Sequence, residues 1–318
     1  MGTFTVLDDA DVAAIAQIFG LGPVTAWRAI AAGTINSNFA VTAGGARWFI
    51  RVNEGKSVED VGWEAALCRH LAAGAPVAVP RLTLAGDPFA THRGLLVSAF
   101  GWLPGVHRDP GQVTVDDARG TGAALARIHL AGADFTPHRD GIYTPAHIAA
   151  RFAGFRDRPD PALAEAIAIL GDELAGLDAA APIRAAAPRG IIHGDLFRDN
   201  VLFADGAVAA VLDFEQASWG SLAYDLAVAI NDWAWDGAVR VEIVRALLEG
   251  YDRVRPIDVP MWQALPIEVR GAAARFTVTR ITDVYLPGIA NPDKDFRDYL
   301  ARLVAWRTGD LGRVLDAV

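Results

Sequence analysis

The chain of 318 residues has a single cysteine, Cys68. No internal disulfide is available to it, which suits a reducing compartment. Cys68 falls in a predicted helix, where a small thiol is packing material far more often than a nucleophile. No apolar run is long enough to cross a bilayer. The first nine residues lack the basic start and apolar segment of a secretory leader, and Val6 stands where a myristoylation signal has Ser or Thr. These absences predict a cytoplasmic protein without membrane contact. An excess of positive charge is also missing: 29 Lys and Arg against 38 Asp and Glu give a formal net charge of −9. General nucleic-acid binding needs a basic footprint, so that class is set aside and a small-molecule partner is expected.

The composition, 52% hydrophobic and 21% charged, is that of a globular protein, and the length allows two lobes with cores of their own. One stretch organises the rest. Ile191-Ile192 and Val201–Phe203 read as short strands with a polar loop between them. A turn at Asp205-Gly206 then folds residues 207–212 back as a hairpin ending on Asp213. His193, Asp195, Asn200 and Asp213 stand out among these apolar neighbours. Phosphoryl transfer needs one carboxylate to accept the proton of the attacking hydroxyl. It also needs a second carboxylate and an amide oxygen to hold Mg²⁺, a hard cation that prefers oxygen. Asp195, Asp213 and Asn200 fit those roles, and the spacing lets one loop present both Asp195 and Asn200. The alternative is a surface hairpin with Asp and Asn as turn formers. Four polar residues so spaced between apolar strands favour the chemical reading.

In the N-terminal third, residues 8–20 are predicted as an amphipathic helix with Val12, Ile15, Ala16 and Phe19 on one face. Val24–Ile30, Phe39–Thr42 and Trp48–Val52 read as strands. The turn Gly33–Asn38, with Asn36, Ser37 and Asn38, fits either a cradle over phosphates or a plain turn. Ser57 and Asp60 have capping-box spacing at the start of a helix to Gly74. Arg51 follows a strand and Glu64 lies in that helix; the pair fits a phosphate-positioning ion pair or an ordinary surface salt bridge. Leu82–Leu84 and Leu95–Phe100 are further predicted strands about the turn Gly86-Asp-Pro. The breaker-rich run Gly101–Gly105 is the predicted boundary between domains 1–100 and 101–318.

Beyond it the periodicity is helical, over residues 114–132, 148–155, 161–177, 221–235, 237–251, 261–286 and 295–318. The Ala-rich run 177–188 reads as a linker or a helix end. His129 reads as a packed or capping histidine. Along 221–235, Tyr224, Val228, Asn231 and Trp235 share one face, with Asp225 and Asp232 on a neighbouring one. Asp225 is expected to anchor the catalytic loop. Asn231 and Trp235 are candidates to line a substrate pocket, Trp235 fitting the core as well. Arg275, Thr279 and Asp283 fall on one broad face of 261–286. A buried arginine needs an anion, either Asp283 or another protein carboxylate, or the carboxylate of a substrate.

The segments Ile192-His-Gly-Asp-Leu-Phe-Arg-Asp-Asn-Val-Leu-Phe203, Leu212-Asp-Phe-Glu215 and Tyr224-Asp-Leu-Ala227 resemble the aminoglycoside phosphotransferase and choline kinase-like superfamily. Gly33-Thr-Ile-Asn-Ser-Asn-Phe39, Ile230-Asn-Asp-Trp233, Val254-Arg-Pro256 and Arg270-Gly-Ala-Ala-Ala-Arg-Phe276 extend the resemblance, over most of the chain, to the bacterial homoserine kinases of that fold. The resemblance implies an α+β, protein-kinase-like bilobal fold. An N-terminal antiparallel-sheet lobe with one main helix would be followed by a larger, mostly helical lobe, with ATP between them and the acceptor on the helical lobe. It further implies Asp195 as catalytic base, Asn200 and Asp213 as Mg²⁺ ligands, and Arg51 with Glu64 at the triphosphate. Asn36, Ser37 and Asn38 would lie over the phosphates and Ser98 and Phe100 on the adenine side. His193, Asn231, Trp235 and Arg275 would meet the acceptor. Arg51 departs from the Lys that kinases carry there, and Arg198 from a frequent Pro. The activity implied is ATP-dependent phosphorylation of the hydroxyl of homoserine, in threonine biosynthesis. The alternatives are a superfamily kinase for another hydroxylated metabolite or an aminoglycoside, and a non-catalytic nucleotide-binding module, which should lack the base or a metal ligand.

Overall fold

The computed structural model describes residues 5–30 and 36–309. Residues 33–35 of the predicted phosphate-cradle turn, and the end of the last predicted helix from 310 on, lie outside the described residues. The chain divides into two compact units, Met1–Gly105 with Ala209–Glu215, and Val106–Val208 with Gln216–Val318.

The first unit is built on a sheet. Helix α1 (Asp9–Ile18) starts where Asp8 accepts from the Asp11 N–H and Asp11 accepts in return from the Asp8 N–H. Strands β1 (Val24–Ile30), β2 (Ser37–Ala43) and β3 (Ala46–Val52) follow. Helix α2 (Val58–Leu71) carries the expected Ser57–Asp60 capping box. Strands β4 (Ala90–His92) and β5 (Leu95–Gly101) complete an antiparallel sheet of order β1-β2-β3-β5-β4. Val12, Ile15 and Phe19 from the α1 region meet Val41, Ile50 and Val97 from the sheet in a core closed to solvent. The strand expected at 82–84 does not form. Leu84 is exposed, and its N–H bonds the Ile18 carbonyl outside the sheet. The fifth strand is β4, because Arg93 and Gly94 both take positive φ (50° and 79°), the tight hairpin turn whose twist suits adjoining strands. Residues 209–215 join this unit through Val211, which donates to the Pro76 carbonyl at 2.6 Å and accepts from the Ala78 N–H.

The second unit is mostly helical. It comprises α3 (Val115–Ala131), α4 (Pro145–Ala153), α5 (Ala164–Ala179), α6 (Ala181–Ala186), α7 (Leu222–Trp233), α8 (Val241–Val254), α9 (Val259–Arg280) and α10 (Phe296–Thr308). The run 177–188 is therefore the end of α5 and a short helix begun by Pro182 near its N-terminus, in keeping with the helix preference of alanine. Short strands frame the polar loop: β6 (Arg189–Ile192) pairs with β9 (Ser218–Ser221), and β7 (Val201–Ala204) with β8 (Ala207–Val211). Asp205 and Gly206 turn that second hairpin with positive φ. Helices α3 and α8 cross so closely that a Cβ on Gly122 would lie 2.0 Å from the Leu247 carbonyl oxygen, and one on Gly250 2.0 Å from that of Arg119. After Arg280 helix α9 continues as one π-helical stretch, Ile281–Tyr285. No helix among the described residues is long and apolar enough to span a membrane.

Candidate active site

The expected functional residues form one group in each unit. In the first, Arg51 lies on β3 directly opposite Ser98 of β5. Its Nη2 donates to Glu64 Oε2 at 2.7 Å and its Nε to Asn53 Oδ1 at 2.8 Å. Nη1 is 3.7 Å from Asp213 Oδ1, and the guanidinium carbon is 5.6 Å from the centre of the Phe100 ring. Burial works against the charge on Arg51, but Glu64, Asp213 and Glu215 more than offset it, so the pKa ends raised and the charge is permanent. Asp213 takes φ 60°, a left-handed conformation uncommon outside glycine, with its side chain 40% exposed.

Asn53 was not anticipated. The alternation of β3 puts it on the face of Arg51, a signal the sequence did contain. Its Nδ2 donates to the Leu96 carbonyl and to Ser98 Oγ at 3.1 Å. Ser98, 2% exposed, thus orients Arg51 through Asn53 and is not a side chain offered to adenine. Asn36 and Ser37 need the same correction. Asn36 Nδ2 donates to Glu215 and its Oδ1 accepts from the Glu54 N–H. Ser37 Oγ donates to Glu54 at 2.6 Å and accepts from the Thr5 N–H. Both are buried and committed to the protein itself. Asn38 sits on β2 opposite Arg51. Lys56 lies 3.4 Å from Glu215.

In the second unit β6 delivers the loop after His193. Asp225 on α7 is fully buried and accepts from the backbone N–H groups of His193 and Gly194, both at 2.7 Å. The ring of His129 faces the same carboxylate at 2.9 Å and the Tyr251 hydroxyl at 2.6 Å. Burial raises the pKa of Asp225, but the hydrogen bond and charge of His129 and the loop N–H groups outweigh it, and the carboxyl stays below its ordinary range. His193 is fully buried with its Nδ1 accepting from the Asp195 N–H, so it shapes the turn and does not face an acceptor. Asn200 Nδ2 donates to the Asp195 carbonyl at 2.8 Å, which points the amide nitrogen inward and leaves the amide oxygen as its acceptor atom. Arg198 ties the loop to α7: its N–H, Nε and Nη2 all donate to the Asp232 carboxylate.

Burial lifts the Asp195 carboxyl to about 6; Arg275 and Lys294 oppose the shift, and Asp199 and Asp232 add to it. Such a group is ionised at neutral pH yet basic enough to take a proton. Arg275 is 5% exposed, with its guanidinium 3.8 Å from the rings of Tyr143 and Phe276. Its Nε is enclosed without a hydrogen-bond partner, and no described carboxylate pairs with it. Asp283, its possible counter-ion, pairs with Arg151 instead. The Tyr224 hydroxyl, also enclosed without a partner, is pushed up to about 12 by burial. Asn231 is overturned as a pocket residue. It has no exposure, its Nδ2 donates to the Ala227 and Val269 carbonyls, and its Oδ1 accepts from Trp306. Trp235 is half-buried past the end of α7, 5.7 Å from the guanidinium of Arg302.

Residues 26–257 match the phosphotransferase enzyme family. The chain belongs to that family. Phosphotransferases similar to it along nearly their whole length include homoserine kinases of Gluconacetobacter diazotrophicus, 36% identical over 95% of this chain and 96% of that one, and of a Caulobacter species, 35% identical over 97% and 98%. Among solved structures, an aminoglycoside phosphotransferase from Alicyclobacillus acidocaldarius superposes with a TM-score of 0.69 at 16% identity, covering 99% of this chain and 98% of that one. An amicoumacin kinase bound to AMP-PNP superposes with a TM-score of 0.71 at 15% identity, covering 98% and 94%. The α+β fold of this phosphotransferase is thus the protein-kinase-like one. The Arg198–Asp232 fork needs both the backbone N–H and the guanidinium, neither of which a proline at this position could supply.

Proposed function

We propose that the chain is an ATP:homoserine O-phosphotransferase working in the cytoplasm. The observation that carries this reading is Arg275, a buried guanidinium without a protein carboxylate among the described residues, acting on Asp195. A homoserine carboxylate supplies the missing anion, and 35–36% identity to homoserine kinases over nearly the whole chain supports the same acceptor.

Asp195 is the base: it receives the proton of the acceptor hydroxyl as that oxygen attacks the terminal phosphorus of ATP. Asp225 and the Arg198–Asp232 fork hold the loop that carries it. Arg51, fixed by Glu64 and Asn53, is the permanent cation for the phosphates, and Phe100 belongs to the nucleotide side. The donor set fits Mg²⁺. Asn200 would offer Mg²⁺ its amide oxygen and Asp213 its carboxylate, and the backbone strain at Asp213 is of the kind kept where a side chain must be aimed. Mg²⁺ held there would neutralise phosphate charge.

The test is ADP release from ATP against a panel of homoserine, threonine, choline, methylthioribose and kanamycin. Homoserine should lead in kcat/KM by about two orders of magnitude, a difference on the order of 3 kcal/mol. Equal rates on choline or kanamycin would defeat the homoserine assignment. Turnover of none of the five, with ATP still bound, would favour a nucleotide-binding module.

A further inference from the structure

The α9–α10 region of the helical unit buries more positive charge than its carboxylates balance. Arg302 on α10 is 7% exposed, and its Nε and Nη1 are enclosed without hydrogen-bond partners. No ion pair to it exists among the described residues. Its guanidinium lies 4.1 Å from the Tyr299 ring, and the Tyr299 hydroxyl, fully buried, is also unpartnered. Arg280 stands 4.5 Å from the same ring but is balanced by Asp298 at 3.6 Å and donates to the Asp295 carbonyl, so it is not part of the excess. The nearby buried carboxylate, Asp232, already accepts through both oxygens from Arg198, whose Nη1 is again enclosed without a partner.

Packing does not account for Arg302. An aliphatic side chain would fill the space beside Tyr299 without the cost of burying a charge and leaving its donors unmade. Guanidinium N–H groups and a phenolic O–H, all closed off from solvent and all lacking acceptors, match an oxyanion. Arg302 is also set apart from Arg275. The two flank a stacked aromatic pair, Arg275 against Phe276 and Arg302 against Tyr299, with ring centroids 4.7 Å apart.

We propose that Arg302, with the Tyr299 hydroxyl, forms a second anion position and that its ligand is a carboxylate. The carboxylate comes from a separate small acid or, where Arg275 is not the partner of the acceptor's single carboxylate, from the acceptor itself, which rests on the homoserine reading. Phe197 couples the position to the catalytic loop, since it packs against both Phe276 and Tyr299.

The test compares wild type, Arg302→Met and the milder Arg302→Lys and Tyr299→Phe. Calorimetric titration is run with homoserine, 4-hydroxybutanoate, 3-aminopropan-1-ol and acetate, beside ligand-free melting and homoserine turnover. Arg302→Met should weaken binding of carboxylate ligands at least tenfold and leave 3-aminopropan-1-ol unchanged. Arg302→Lys should fall between, because a point charge replaces a fork. Ligand-free Arg302→Met should melt no lower than wild type, since an uncompensated buried charge has gone. A loss for homoserine and 4-hydroxybutanoate assigns the acceptor as the source and moves its carboxylate from Arg275 to Arg302. An unchanged homoserine KM with acetate binding lost assigns a separate acid. Wild type that ignores homoserine while the variant loses acetate removes the proposed activity and keeps the anion position. Carboxylate affinities equal to wild type, or falling no more than that for 3-aminopropan-1-ol, overturn the proposal. Should Arg302→Met not fold, the same comparison is read from Arg302→Lys and Tyr299→Phe.

Discussion

Asp195 titrates where burial sets it, near 6, and that one value governs two pH dependences of opposite sign. A base works only when deprotonated, so kcat/KM should rise about tenfold per pH unit below 6 and level off above it. Stability runs the other way. An ordinary Asp ionises near 3.8, so between 3.8 and 6 the unfolded chain releases this proton before the folded one does. Stability contributed by this group is full below 3.8, falls through that window, and stays reduced above 6. Asp195→Asn should therefore lose nearly all turnover yet melt higher than wild type at pH 8, by about 1–3 kcal/mol, with the gap closing toward pH 4. ATP affinity in that variant should stay within about twofold, since Asp195 is assigned to the acceptor hydroxyl. Full turnover, or a lower melting point at pH 8, would remove Asp195 as the buried base. At this scale residue type was legible and satisfaction was not. Asn36, Ser37 and Asn231 are polar side chains engaged by partners distant in sequence, such as Glu215, Glu54 and Trp306. Spacing along one chain carries no record of such partners. The sequence left the anion for Arg275 open, and Asp283, one of the counter-ions it offered, pairs with Arg151.

Elements with a strong apolar period, α1, α3 and α7, appear where the sequence puts them, and the Asp195–Asn200 loop lies between short strands as expected. The misplaced elements had ambiguous punctuation. Gly86-Asp-Pro looks like a hairpin turn, but the operative turn is Arg93-Gly94, where an arginine in the left-handed region gives little warning. The α3–α8 crossing left almost no trace either, because glycine within a helix usually reads as a weakness. Here Gly122 and Gly250 let the two backbones touch, and the same crossing brings Tyr251 of α8 to His129 of α3. Gly122→Ala or Gly250→Ala should push the helices apart at a cost of about 2–3 kcal/mol, read as a lower melting temperature. Because His129 reaches Asp225, surviving enzyme should lose kcat more than acceptor or ATP affinity. Either alanine variant melting like wild type would mean that the crossing yields more readily than its carbonyl distances imply.

For the molecule as a whole, fold and acceptor separate. The fold is shared with antibiotic kinases at 15–16% identity, a level that fixes architecture and leaves chemistry to individual side chains. On the proposed reading, the acceptor is chosen by the buried cations and not by the formal net charge of −9. A polycationic aminoglycoside brought beside Arg275 and Arg302 would meet like charge in a poorly solvated setting, where repulsion is weakly screened. An amino acid brings one carboxylate to that setting and relieves it. Kanamycin should accordingly neither raise the melting temperature nor release ADP, while homoserine does both. Arg275→Met should raise the homoserine KM by about 30-fold, roughly 2 kcal/mol, with the ATP KM within about twofold of wild type. The same substitution should relax the exclusion of cationic alcohols, so that 3-aminopropan-1-ol gains on homoserine in relative kcat/KM. An unchanged homoserine KM would eliminate Arg275 as the carboxylate partner, and kanamycin turnover by wild type would show that buried cations do not set acceptor charge in this phosphotransferase.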